Sequence, residues 1–177
     1  ELVREATLAA MAEAGIADPA AVHYVQVKCP LLTAERVSRA GGPSAVATTS
    51  MIKSMGLSRG ASALGIALAL GEIDAEALTD AAIGEDWRLY SARASCSAGV
   101  ELEDCEVAVL GLSETWSGPL RIAHGVMSDA IDAPSVADLL AGFDPAFRAQ
   151  LSPEGRSRFV ALLAKAEAST TGAIRGA

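Results

Sequence analysis

Residues 22–29 read VHYVQVKC, a β-branched and aromatic run that ends on an ammonium group and a thiol. Such a run predicts a strand of buried type. A lysine at its end must reach water, meet a counter-ion or give up its proton. Only the last makes Lys28 a base at neutral pH; the alternative is a snorkelling lysine whose stem lies along the strand while its head stays wet.

Outward from that strand, ELVREATLAAMAEAGI at 1–16 has helical apolar spacing and stops at Gly15, and ADPAA makes the turn into the strand. Pro30 is expected to break the ladder. Thr33 caps a short helix, TAERVSRA, which ends at Gly41-Gly42-Pro43. MGLSRGASALGIALALGE at 55–72 predicts a glycine-rich entry and then a small-residue helix, buried on most sides and closed near Gly71. DAEALTDAAI at 74–83 reads as helix, WRLYSARAS at 87–95 as extended chain, Cys96-Ser97-Ala98-Gly99 as a loop, and EVAVLG at 106–111 as a second buried strand.

This alternation of strands and helices predicts an α/β layered domain, with a mixed strand order left open. Residues 1–111 form the first unit, 112–135 is a loop-rich linker, and 136–177 begins another unit. In that second unit SVADLLAGF reads as a helix capped by Ser135, and the apolar run FVALLAK ends on Lys165 much as VHYVQVK ends on Lys28. The recurrence suggests a repeat. A chain that starts at Glu1 inside a helical pattern and finishes on TTGAIRGA is expected to be an internal piece of a longer protein.

Composition narrows the function. The 177 residues are 51% hydrophobic but only 4% aromatic, and the net charge is −8, which suits a packed core and argues against a nucleic-acid partner. The longest apolar stretch, ASALGIALALG at 61–71, is about half of what a membrane span needs. Three cysteines, Cys29, Cys96 and Cys105, lack the CxxC spacing of a zinc or redox site and fit a reducing cytoplasm.

Three constellations carry chemistry. A neutral Lys28 could take the hydroxyl proton of a serine, an activation that needs no histidine. Ser97, with Ala98 and Gly99 after it, has the small neighbours that let backbone N–H groups approach a substrate oxygen. Taken singly, Ser97 is also consistent with an ordinary loop serine. Arg59, among glycines and serines ahead of a helix, could present a donor fork to a carbonyl-rich ligand or could cap a carbonyl at the surface. Cys96 in ASCSAG has a superficial likeness to the nucleophile loop of thiolase-like condensing enzymes; its other reading is a small buried thiol. Glu101, Glu103, Asp104 and Glu106 read as a solvated turn.

Taken together, VQVKCPLLT at 25–33, SMGLSRGASALGIALALGE at 54–72, ASCSAGVELEDCEVAVLG at 94–111 and LLAKAEAST at 162–170 resemble the cyanuric acid hydrolase and barbiturase family of cyclic amide ring-opening hydrolases. The resemblance implies an architecture of three α/β repeats about a pseudo-threefold axis, with this chain running from inside the middle repeat to the opening of the third. It implies Lys28 and Ser97 as the catalytic pair, with Arg59, Ser97 and Ala98 binding substrate. Lys165 would be the third repeat's lysine, and Glu167 a ligand of a structural magnesium or calcium ion. It implies no cofactor for catalysis, a small cyclic amide as substrate, neither nucleic acid nor membrane as partner, and a homo-oligomer, commonly a tetramer.

The implied reaction is opening of cyanuric acid to carboxybiuret, or of barbituric acid to ureidomalonate, in s-triazine or pyrimidine catabolism. Serine attack would form an acyl-enzyme that water hydrolyses, and the 177-residue piece alone would be inactive. The alternatives are a condensing enzyme that uses Cys96 and a non-catalytic α/β assembly module.

Overall fold

A computed structural model describes residues 1–166 of the chain, which divide into one unit over Glu1–Ile122 and a second beginning at Ala123. In the first unit, α1 (Leu2–Glu13) leads into β1 (Val22–Pro30). Then come α2 (Ala34–Arg39), α3 (Met51–Ala69), β2 (Ala94–Gly99) and β3 (Glu106–Gly111). Among the described residues the sheet has the order β2-β1-β3, with β1 parallel to β2 and antiparallel to β3. The helical crossover that a parallel pair requires is supplied by α2 and α3, and the result is the expected α/β class with a mixed sheet.

The helix ends follow from local chemistry. Thr33 Oγ1 accepts from Arg36 N at 3.2 Å and Ser50 Oγ from Lys53 N at 3.3 Å, each satisfying an orphan donor of a first turn. Gly15 and Gly71 adopt φ of +67° and +66° just beyond α1 and α3. There the chain folds back, with Ile16 N donating to Met11 O at 2.9 Å and Glu72 N to Ala67 O at 2.8 Å. This reversal needs a residue tolerant of the left-handed region.

Core-facing positions on β1 are the fully buried Val25, Val27 and Cys29. With Cys96 they pack against Val3 and Met11 of α1 and Ile66 and Leu70 of α3. Val22 is also fully buried although three residues precede Val25, an odd step for a strand. A bulge explains it: between Val22 and Tyr24 the ladder advances two residues on β1 for one on β3, from Gly111 to Leu110. A side chain at Gly111 would collide with the Ala21 carbonyl and Val22 Cα beside that bulge.

Several expectations give way. The stretch 96–99 is not a loop but most of β2, and Pro30 does not end the ladder, since it pairs with Gly99. A strand-terminal proline is tolerated because it withholds only its own N–H. Residues 74–83 form two short 3-10 turns, Ala75–Ala77 and Asp80–Ala82, and 87–93 forms turns and bends rather than extended chain. α3 begins at Met51, and its burial lies mostly in its second half. β3 is half-exposed, with alternate residues open to solvent, because within the first unit α1 and α3 pack on the face that carries Val107 and Val109.

In the second unit, α4 (Ala133–Phe143) is capped by Asp132 rather than Ser135. Asp132 accepts from Ser135 N at 3.2 Å and Ser135 Oγ at 2.6 Å, and its other carboxylate bonds go to Ser128 N and Oγ, both at 2.9 Å. A carboxylate, acceptor on both oxygens, displaces serine from the cap by serving two segments at once. α5 (Pro153–Arg158) is capped by Ser152. The run FVALLAK forms neither helix nor strand and leaves Val160 and Leu163 exposed.

Candidate active site

Lys28 and Ser97 are Cα partners in the parallel ladder between β1 and β2. Partners in such a ladder send their side chains to the same face from strands about 4.8 Å apart. That face is opposite to the one the helices cover, since the core positions on β1 are the odd-numbered Val25, Val27 and Cys29. The same face also carries Gln26, whose Oε1 accepts from Tyr24 Oη at 2.9 Å, and the buried Ser95, the partner of Gln26. Strand pairing thus assembles a strip of amine, hydroxyl and amide groups from segments about 70 residues apart.

Lys28 does find a counter-ion. Its Nζ lies 2.7 Å from Glu101 Oε1, with the lysine side chain 34% exposed. The Lys28 hydrogen bond, and then a backbone N–H, hold the Glu101 carboxyl below the ordinary glutamate range. Glu101 sits on the loop from β2 to β3, and α2 fixes that loop. The Arg36 guanidinium donates to Leu31 O at 2.6 Å, to Val100 O at 3.1 Å and to Leu102 O. Arg39 grips Glu103 through both nitrogens at 2.8 and 3.3 Å. A β-carbon at Gly99 would run into the Glu101 carboxylate, so glycine leaves that group its place. Sequence reasoning put Glu101 and Glu103 in a solvated turn and missed Arg36; the signal available was the basic pair Arg36 and Arg39 at helical spacing on TAERVSRA.

Ala98 pairs with Cys29, and its methyl packs against the core cluster. Val25 N donates to Arg93 O at 2.9 Å and Leu31 N to Gly99 O at 3.3 Å. In an evenly spaced parallel ladder this makes odd-numbered residues of β2 face β1, so the Ala98 N–H is directed to the outer side of β2.

Arg59 lies inside α3, in its third turn and half-buried, not on a loop ahead of a helix. The glycines on either side do not interrupt the helix, because its apolar second half packs on the sheet and outweighs their propensity cost. The adjacent Ser58 Oγ donates to Pro30 O at 2.6 Å, which ties this part of α3 to the end of β1 beyond Lys28. Cys96, 8% exposed, points into the core from mid-strand. It therefore lacks the helix-head setting of a condensing-enzyme nucleophile. Lys165 is exposed in irregular chain, and Glu167 lies outside the described residues.

A groove of about 580 Å³ opens past the end of β1, lined by Leu31, Leu32, Arg36, Ser54 and Ser58 among others. Lys28 and Ser97 are not part of that lining, and Arg36 and Arg39 spend their donors there on carbonyls and Glu103. The strip on the open sheet face is the stronger site on chemical grounds.

The family model described as "amidohydrolase ring-opening protein" matches residues 1–177. The chain belongs to this family. A cyanuric acid amidohydrolase of Azorhizobium caulinodans is 57% identical over 176 residues, which cover 99% of this chain and 47% of that protein. One from Rhizobium johnstonii is 54% identical with the same coverages. A solved cyanuric acid hydrolase, described as an evolutionary innovation by structural concatenation, superposes with a TM-score of 0.88 at 46% identity, covering 98% of this chain and 47% of that one. The crystal structure of the A. caulinodans hydrolase gives a TM-score of 0.76 at 62% identity over 80% of this chain and 40% of that one. The chain spans about half the length of the curated relatives it matches. Among the described residues no helix is long and apolar enough to cross a membrane.

Proposed function

We propose that this chain supplies the reacting pair of a hydrolase that opens the ring of cyanuric acid, with Ser97 as nucleophile and Lys28 as its base. The observation that carries the reading is the in-register placement of the two residues on the sheet face opposite the one that α1 and α3 cover. The names of the relatives supply the substrate class.

Neutral Lys28 takes the Ser97 proton while Oγ attacks a ring carbonyl carbon, and the Ala98 N–H donates to the developing oxyanion. The C–N bond then breaks, and the lysine returns its proton to the departing ring nitrogen. Water hydrolyses the acyl-serine, giving a proton to Lys28 and its hydroxyl to the carbonyl, and Ser97 is regenerated. Carboxybiuret is the product. Arg59 binds the ring's carbonyl oxygens, and Glu167, outside the described residues, would be one ligand of a structural magnesium or calcium ion.

For this cycle Glu101 must release the amine. The pair is exposed at the carboxylate, whose side chain is 56% accessible, and such pairs are weak enough for an entering ring to displace. Further cationic groups from the rest of the protein would then favour the neutral amine.

The test is a chimera in which this sequence replaces the matched segment of the A. caulinodans amidohydrolase. Ser97→Ala and Lys28→Ala should each lower kcat on cyanuric acid by on the order of 10⁴-fold or more, with the circular dichroism unchanged. Normal turnover by the folded Lys28→Ala protein overturns the proposal and favours an assembly role. Assay with barbituric acid alongside separates the two ring substrates.

A further inference from the structure

Cys29 is the last core-facing residue of β1, and Cys105 immediately precedes β3. The antiparallel register runs Val25↔Val109, Gln26↔Ala108, Val27↔Val107 and Lys28↔Glu106. One further step sets Cys29 opposite Cys105. Both residues belong to the same core cluster, Cys29 fully buried and Cys105 half-buried at its margin. Residues directly opposite on antiparallel strands have Cα atoms about 4.5–5.5 Å apart, within the span a disulfide requires. The third thiol is worse placed: Cys96 pairs with Val27, one diagonal step from Cys29 and at about 7–8 Å, beyond easy bridging.

We propose that Cys29 and Cys105 are a modification site that closes as a reversible cross-strand disulfide when the protein meets a small-molecule disulfide oxidant such as oxidised glutathione. The half-buried Cys105 thiolate attacks the oxidant, releasing one small thiol and leaving a mixed disulfide. The Cys29 thiolate then attacks the Cys105 sulfur and releases the second. One S–S bond breaks and one forms, while both protons and both electrons leave with the two released thiols. Closure also takes away the Cys29 Sγ donor that lies 3.3 Å from Ser97 O. Burial pushes the Cys105 thiol up, with the neighbouring Cys29 adding to it. Only the thiolate attacks, so closure should be slow at neutral pH and speed up through the alkaline range.

The experiment treats the 177-residue chain with oxidised glutathione at neutral and alkaline pH, then counts thiols after denaturation and maps peptides. The expected result is a fall from three free thiols to one, a crosslinked peptide pair carrying Cys29 and Cys105, and full reversal by dithiothreitol. Cys96→Ala should close as readily as the parent. Cys105→Ser should block closure, and Cys29→Ala should stop at the mixed disulfide. A Cys29–Cys96 crosslink, a Cys105-linked dimer without internal closure, or three thiols retained by the folded chain at both pH values would each overturn the proposal.

Discussion

Lys28 Nζ and Glu101 Oε1 stand 2.7 Å apart, an ion pair set on the open face of the sheet beside Ser97. Its acid response follows from the depressed Glu101 carboxyl. A carboxylate whose folded-state pKa lies below its unfolded one adds stability above the unfolded value and loses it as pH falls through the folded one. A carbon-13 titration of the Glu101 carboxyl should therefore show a midpoint below the ordinary glutamate range, and Lys28→Met should return it towards that range. An unmoved midpoint in Lys28→Met would mean that the pair does not form in solution.

Arg36 connects the end of β1 to the loop that holds Glu101. Arg36→Met keeps much of the side-chain bulk and removes the donors; water can replace them at the exposed Val100 carbonyl, but the part-buried bonds to Leu31 O and Leu102 O are lost at a cost of about 1–3 kcal/mol. Amide exchange should accelerate across residues 100–103 by roughly tenfold or more, as local opening becomes easier, while Val25 and Val27 stay protected.

Cys96 and Ser97 are consecutive but leave the strand on opposite faces. In the chimera, Cys96→Ala should keep kcat within a few-fold, whereas Ser97→Ala abolishes it. The reverse pattern would revive the cysteine-nucleophile reading.

Ile66 of α3 is fully buried between the sheet and α1. Ile66→Ala should cost about 2–5 kcal/mol of unfolding free energy. Urea denaturation should show the shift as a lower midpoint with an unchanged slope.

Much of the first unit was legible in the sequence because it rests on local rules. The strand Val22–Pro30 follows from its β-branched run, and the helices over Leu2–Glu13 and Ala34–Arg39 follow from apolar spacing, a threonine cap and glycine stops. Glycine at 15 and 71 marks helix ends because the turn there needs a left-handed residue, a requirement that acts within a few positions. Errors cluster where packing or a competing partner overrides propensity. ASCSAG looks like a loop by composition, yet β1 gives it a ladder to join. DAEALTDAAI looks helical, yet most of it is exposed and forms short turns.

The sequence by itself determined that a lysine would end a buried strand and that a serine with small neighbours would lie far along the chain, since residue type and local pattern are one-dimensional properties. Only the tertiary structure decided that the two share a face and a register, that Glu101 forms an ion pair with the lysine, and that α2 holds Glu101 in place. Those are relations between segments about 65–75 residues apart, and no period, cap or turn rule reaches that far. They arise because burying Val25, Val27 and Cys29 under the helices fixes the phase of β1, and the phase of a strand dictates which residues remain on its other face.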